Sequence, residues 1–145
     1  MTTDTPDTAS SRATAKKFLQ HMLEGDTQAL LDLFHEDGTW QIMGETDGFT
    51  LLSTHPKAEI AALMHTVASA IAVPHDLTVG DILADGDRAA VEIHPTAQAV
   101  NGHRYDNHIL FLFHVRAGRI HSLKEYLDTR HLEKITSTRR VEVLP

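Results

Sequence analysis

Residues 101–129 read NGHRYDNHILFLFHVRAGRIHSLKEYLDT, and the reading of this stretch decides the fold. Tyr105 to Val115 is dense in β-branched and aromatic residues, interrupted by polar ones, as in a strand with one face on a core. Ala117-Gly118 marks a tight turn, and a second strand runs from it into Lys124-Glu125-Tyr126-Leu127-Asp128. Two long adjacent strands with a carboxylate on one face point to a curved sheet wrapped around a pocket. The function then turns on where Glu125 points.

Alternation sorts the side chains into faces. Tyr105, Asn107, Ile109, Phe111, Phe113 and Val115 share one face of the first strand, opposite Asp106, His108, Leu110, Leu112 and His114. On the second strand His121, Leu123 and Glu125 lie together. Upstream, Arg88–Ala97 is also a strand, with Ala89, Val91 and Ile93 on one side and Glu92 and His94 on the other.

Working outward, Leu77–Ala84 is a strand closed by the hairpin turn Asp85-Gly86-Asp87. The N-terminal half is helical in period. A first helix starts at Ser10 or Ser11 and buries Phe18, Leu19, Met22 and Leu23, and Gly25 stops it. Asp26 caps a short second helix with Ala29, Leu30, Leu33 and Phe34. After a turn at His35–Gly38 comes a short strand, Thr39–Met43, then an irregular loop, Gly44–Ser53. Pro56 begins a third helix that runs to about Ala72, carries Ile60, Leu63, Met64, Val67 and Ile71, and is terminated by Pro74. A final helical turn or two spans roughly Asp128–Ile135. Helices followed by consecutive strands make an α+β domain over residues 11–135, between a disordered tail at 1–10 and a C-terminal tail at 136–145.

Composition excludes several classes. Thirteen basic residues against 20 acidic ones give a formal charge of −7, which opposes nucleic-acid binding. The absence of cysteine excludes disulfides, thiol nucleophiles and cysteine-held zinc. No apolar run is long enough to span a bilayer, and no signal peptide is visible, so a cytoplasmic location is the default expectation.

Two sets of residues carry candidate chemistry. Glu92 and His94 emerge from one face of their strand roughly 6–7 Å apart, and if that face meets Glu125 the three form an acid–base cluster. The plain alternative is a solvated strand face, where Glu and His are commonplace. A metal centre has less support. His108 and His114 stand roughly 20 Å apart, and Glu92, His94 and Glu125 or His121 match no recognised ligand spacing. Met64 at helical spacing and Trp40 on a first strand are ordinarily core, although Trp40 can also form a pocket wall.

Three sets of residues together resemble the SnoaL-like branch of the nuclear transport factor 2 superfamily. They are Phe18–Met22 with Gly25-Asp26 and Leu30–Phe34; Glu36–Trp40; and Tyr105–Phe113 with Gly118–Ile120 and Glu125–Asp128. The branch includes ketosteroid isomerases, polyketide cyclases and limonene epoxide hydrolase. The resemblance implies a cone made by a curved antiparallel sheet, with three helices packed on its concave side around one apolar pocket, and commonly a homodimer. It places Trp40, Ile42, Glu92, His94, Asn107, Ile109, Leu123 and Glu125 toward the pocket, and Met64 joins them as a substrate contact.

The departures from the family narrow the chemistry. Glu92 stands where limonene epoxide hydrolase has arginine, His94 and Glu125 where it has aspartates, and Trp40 and Ile42 where it has its water-orienting pair. Epoxide hydrolysis by that mechanism is thereby disfavoured. The resemblance implies instead a cofactor-independent isomerase or cyclase acting on a hydrophobic small molecule. Glu125 would be the general acid/base, His94 its partner and Glu92 a tuning charge, with no metal. The competing reading is a non-catalytic ligand-binding or dimerisation module. For a dimer, the face opposite the pocket would offer Leu110, Leu112, Val91 and Ile93 to a second copy.

Overall fold

Hydrogen bonds made by small polar side chains decide where the chain first becomes regular. In the computed structural model, which describes residues 3–45, 48–72 and 76–137, helix α1 spans Pro6–Glu24. It therefore begins inside the stretch expected to be a disordered tail. Thr5 caps it by accepting from the Thr8 amide, and Pro6 sits in the first turn, where its missing N–H costs nothing. The N-terminal half of α1 is also tied down from across the chain. Ser11 Oγ donates to the Gly86 carbonyl at 2.7 Å, and the Gly86 amide donates to Thr8 Oγ1 at 2.8 Å. Gly25, at φ 69°, ends the helix in the left-handed conformation. Helix α2 (Thr27–Asp32) follows, with the Asp26 side chain accepting from the Ala29 amide at 3.1 Å.

Strand β1 runs over Phe34–Ile42, longer than expected, because the supposed turn at His35–Gly38 belongs to it. Its first part bulges between Phe34 and Thr39. At Gly38 a Cβ would stand 2.7 Å from the Ile120 carbonyl oxygen, so only glycine lets the backbones approach this closely. The Gly44–Ser53 stretch leads into β2 (Thr54–Pro56) and then α3 (Lys57–Ser69), which ends before the expected Ala72. Residues 46–47 of that stretch, Pro74 and most of the C-terminal tail lie outside the described residues.

The remaining strands are β3 (Asp76–Val79), β4 (Leu83–Asp85), β5 (Arg88–Gln98), β6 (Arg104–Asp106), β7 (Ile109–Arg116) and β8 (Arg119–Tyr126). The expected single strand Leu77–Ala84 is thus two short ones separated near Gly80. Sheet order is β2-β1-β8-β7-β5-β3, with β4 and β6 also paired to β5. All pairings are antiparallel except β1 with β8, so the expected antiparallel sheet is in fact mixed. It curls strongly into a half-barrel, the expected α+β cone. The final helical turn or two expected near Asp128–Ile135 is a fourth helix, α4 (Thr129–Thr136). No helix among the described residues is long and apolar enough to cross a membrane.

Phe18 of α1 is the hub of the concave side. Its ring meets Phe34, Trp40, Phe111 and Phe113 edge-on, with centroids 5.2–6.3 Å apart. The inner face of β5 carries Ala89, Val91, Ile93, Pro95 and Ala97, all buried. Val91 and Ile93 therefore belong to the core and are not available to a partner, contrary to the expectation for the outer face.

Candidate active site

The carboxylate of Glu125 reaches the interior because of register. Phe111 of β7 and Ile42 of β1 both pair with Glu125, and Val91 of β5 pairs with Phe111. One row of inward side chains thus crosses four strands, and Glu125 is its polar member. The Met43 amide also donates to the Glu125 carbonyl at 2.9 Å, so the β8 backbone is held on that side.

Around this row is an apolar cavity of about 410 Å³, within the range of about 300–1,000 Å³ usual for small-molecule sites. Trp40, Ile42, Met64, Ile109 and Phe111 line it, together with Tyr105 and Glu125. Leu23 and His65, both exposed, mark its rim. Glu125 supplies the one carboxylate among the described lining residues. It is 7% exposed, and no cationic side chain pairs with it among the described residues.

The indole Nε1–H of Trp40 donates to Glu125 Oε1 at 2.9 Å. Burial disfavours the charged carboxylate and pushes its pKa up to about 7, while the Trp40 hydrogen bond pulls it partly back. A carboxyl group poised near neutrality can both take and return a proton, which is what general acid–base catalysis requires. Tyr105 of β6 lines the same cavity. Burial, and secondarily the charge of Glu125, raise its pKa well above the usual phenol range, so it stays a neutral hydrogen-bond donor. Its ring stacks on His131 of α4 with centroids 5.7 Å apart.

The expected site residues divide into three groups. Trp40, Ile42, Met64, Ile109 and Glu125 meet in the cavity. Leu123 is fully buried, paired with Trp40 and Phe113, in the core rather than in the cavity wall. Asn107 is buried as a clamp. Its Nδ2 donates to the Asp128 carbonyl at 3.2 Å, and its Oδ1 accepts from the Asp128 amide at 3.1 Å, fixing the start of α4.

Glu92 and His94 form the third group, on the other side of the sheet. Glu92 pairs with Leu110, which pairs with Tyr126, in an exposed outer row. His94 contacts Asp106 and stacks on His108 outside. The expected convergence of Glu92 and His94 with Glu125 therefore does not occur, because the inward positions of β5 are all apolar. For the same reason, the matching of Glu92 and His94 to the catalytic set of limonene epoxide hydrolase does not hold. The apolar trio Ala89, Val91 and Ile93 carried the signal for this orientation. Tyr105 was missed as a site residue, although alternation had placed it beside Asn107 and Ile109.

The family model for the SnoaL-like domain matches residues 15–123. Among solved structures, a nuclear transport factor 2-like protein from Burkholderia xenovorans LB400 is 27% identical, covering 90% of this chain and 98% of that one, with TM-score 0.71. A protein from Jannaschia sp. CCS1 described as a SnoaL-like polyketide cyclase is 11% identical, covering 95% and 99%, with TM-score 0.76. A limonene-epoxide-hydrolase-like epoxide hydrolase from M. tuberculosis is 18% identical, covering 90% and 92%, with TM-score 0.68. At these identities the last two likenesses are ones of fold. No curated protein matches the sequence.

Proposed function

This chain belongs to the SnoaL-like domain family, and from that premise we propose that it is a cofactor-independent acid–base enzyme of the isomerase or cyclase type acting on a hydrophobic small molecule. One observation carries the reading: a buried carboxylate in the wall of an apolar cavity, with no cationic partner among the described residues and its pKa raised to about 7. Glu125 takes a proton from a carbon adjacent to a carbonyl. Tyr105, as a neutral phenol, donates toward the oxygen that gains negative charge. The proton then returns from Glu125 to a different carbon, giving isomerisation, or the carbanion attacks a second carbonyl and the alkoxide so formed takes the proton back from Glu125, giving ring closure. Trp40 holds one carboxylate oxygen, leaving the other for the substrate. The partner role expected of His94 passes to Tyr105, since His94 lies outside the cavity.

The test is hydrogen–deuterium exchange, followed by NMR in D₂O, on a panel of hydrophobic cyclic ketones and enones. Wild-type protein exchanges the α-protons of a ligand that it binds. Glu125→Gln lowers that rate by about 10²–10⁴-fold while the ligand still raises the melting temperature. An unchanged rate removes Glu125 from the chemistry. Ligand binding without exchange in the wild type supports the non-catalytic binding module, the second reading, which the apolar cavity also favours.

A homodimer completes the proposal. Leu110 and Tyr126, 37% and 40% exposed on the outer face, are the apolar surface offered to a second copy. Light scattering at micromolar concentration should return twice the chain mass, and a monomer would remove this element.

A further inference from the structure

We propose that the outer face of the sheet carries a divalent transition-metal site formed by His94, Asp106 and His108. It lies on the side away from Glu125, in the groove that Leu110 and Tyr126 also line and that the proposed homodimer therefore adjoins, and it does not depend on the reading of the cavity. One ligand atom from each of the three residues lies within 4.8 Å of the others. His94 Nε2 stands 2.6 Å from Asp106 Oδ1, and the His94 and His108 rings stack with centroids 4.1 Å apart.

The backbone aims these side chains together. His94 is on the outer face of β5, where it pairs with Thr78 of β3. Asp106 ends β6, and His108 precedes β7 by one residue. Asn107 between them is locked inward by its two hydrogen bonds to Asp128, so alternation drives both neighbours outward. The Asp106 amide is also held, donating to His131 Nε2 at 3.0 Å. Glu92, two residues before His94 on the same face, lines the same outer groove of about 380 Å³ and offers a further carboxylate.

The donor chemistry fits a borderline cation. Two imidazoles and a carboxylate are a ligand set for Zn²⁺, Cu²⁺ or Ni²⁺, with water or Glu92 completing the coordination. Bonds of about 2.0–2.1 Å to Zn²⁺ put neighbouring tetrahedral ligands roughly 3.4 Å apart, so binding turns the His94 and His108 rings out of their stack and opens the His94–Asp106 contact, as surface side chains can do.

The experiment is calorimetric titration of the full chain, stripped with chelator, with ZnCl₂. One ion binds per chain. His94→Ala, His108→Ala and the isosteric Asp106→Asn each weaken binding by about tenfold or more, while His114→Ala, in a separate outer histidine cluster, leaves it unchanged. In parallel, Zn²⁺ raises the melting temperature of the wild type and of His114→Ala, and not that of His94→Ala or His108→Ala. No saturable binding, or equal affinity in the wild type and the three ligand variants, overturns the site. Loss of binding only in His114→Ala also overturns it.

Discussion

On the inner side of the sheet Glu125 is 7% exposed, meets an indole N–H and, among the described residues, no cation, and the pKa of its carboxyl group is pushed up to about 7. On the outer side the His94 and Asp106 side chains are 36% and 48% exposed, and the hydrogen bond from His94 holds the Asp106 carboxyl below its usual range. Both pairs join residues distant in sequence through strand pairing, and both place a carboxylate beside a ring nitrogen. The difference lies in the solvent. Within the cavity the charged form of a carboxylate is penalised, so its proton is held until near neutrality. In the outer groove water screens the charge, and the His94 imidazole favours the charged form. One sheet therefore presents a buried carboxyl group to the cavity on one face and an exposed carboxylate beside imidazoles on the other.

The sharpest way to break this contrast is to remove the packing that keeps the inner face dry. Phe18→Ala withdraws the ring that touches Phe34, Trp40, Phe111 and Phe113 and should cost about 3–5 kcal/mol in chemical denaturation. A loss below about 1 kcal/mol would mean that the concave side collapses around the void, and the cavity would not be a rigid site.

Next in size is the effect of the buried charge. The folded pKa of Glu125 is about 7 against an ordinary 4.5, so between these values the folded chain holds a proton that the unfolded chain has released. Stability falls as pH rises through that window and levels off above it, by about 3 kcal/mol in full. Glu125→Gln has no such proton to lose. Its stability relative to wild type should be near zero at pH 4, grow through pH 4.5–7, and be positive at pH 8. A difference flat across pH would place Glu125 in contact with water.

The smallest effect belongs to the outer face. His94→Ala breaks an exposed pair with Asp106 and, without metal, should change stability by no more than about 0.5 kcal/mol. A cost approaching that of Phe18→Ala would erase the distinction between the faces.

The fold was largely legible. The turn at Ala117-Gly118 and the helix signals at Gly25 and Asp26 correspond to observed elements, and the strand period of Tyr105–Val115 is right although the single strand expected there is two, β6 and β7, broken at Asn107-His108. Alternation also put Glu125 with Leu123, and both are buried. The helix N-terminus was misplaced because Thr8 and Ser11 find their partners at Gly86, more than seventy residues away. The site was half legible. Within β5 alternation correctly grouped Glu92 with His94, yet it could not say which strand face would meet Glu125. The resemblance to limonene epoxide hydrolase then drew that pair inward, against the apolar weight of Ala89, Val91 and Ile93.

By itself the amino-acid sequence determined the element types, the family and the residues that share a face within each strand. These are local properties: side-chain spacing, backbone preference at Gly and Pro, and the two-residue period of a strand. Only the tertiary structure decided that Trp40 reaches Glu125 across 85 residues, that β1 runs parallel to β8, and that Tyr105 shares the Glu125 cavity while His94 turns to the outer groove. Register between strands and the curl of the sheet are set by which apolar faces bury one another. That is a property of the whole packed chain, which no single strand contains.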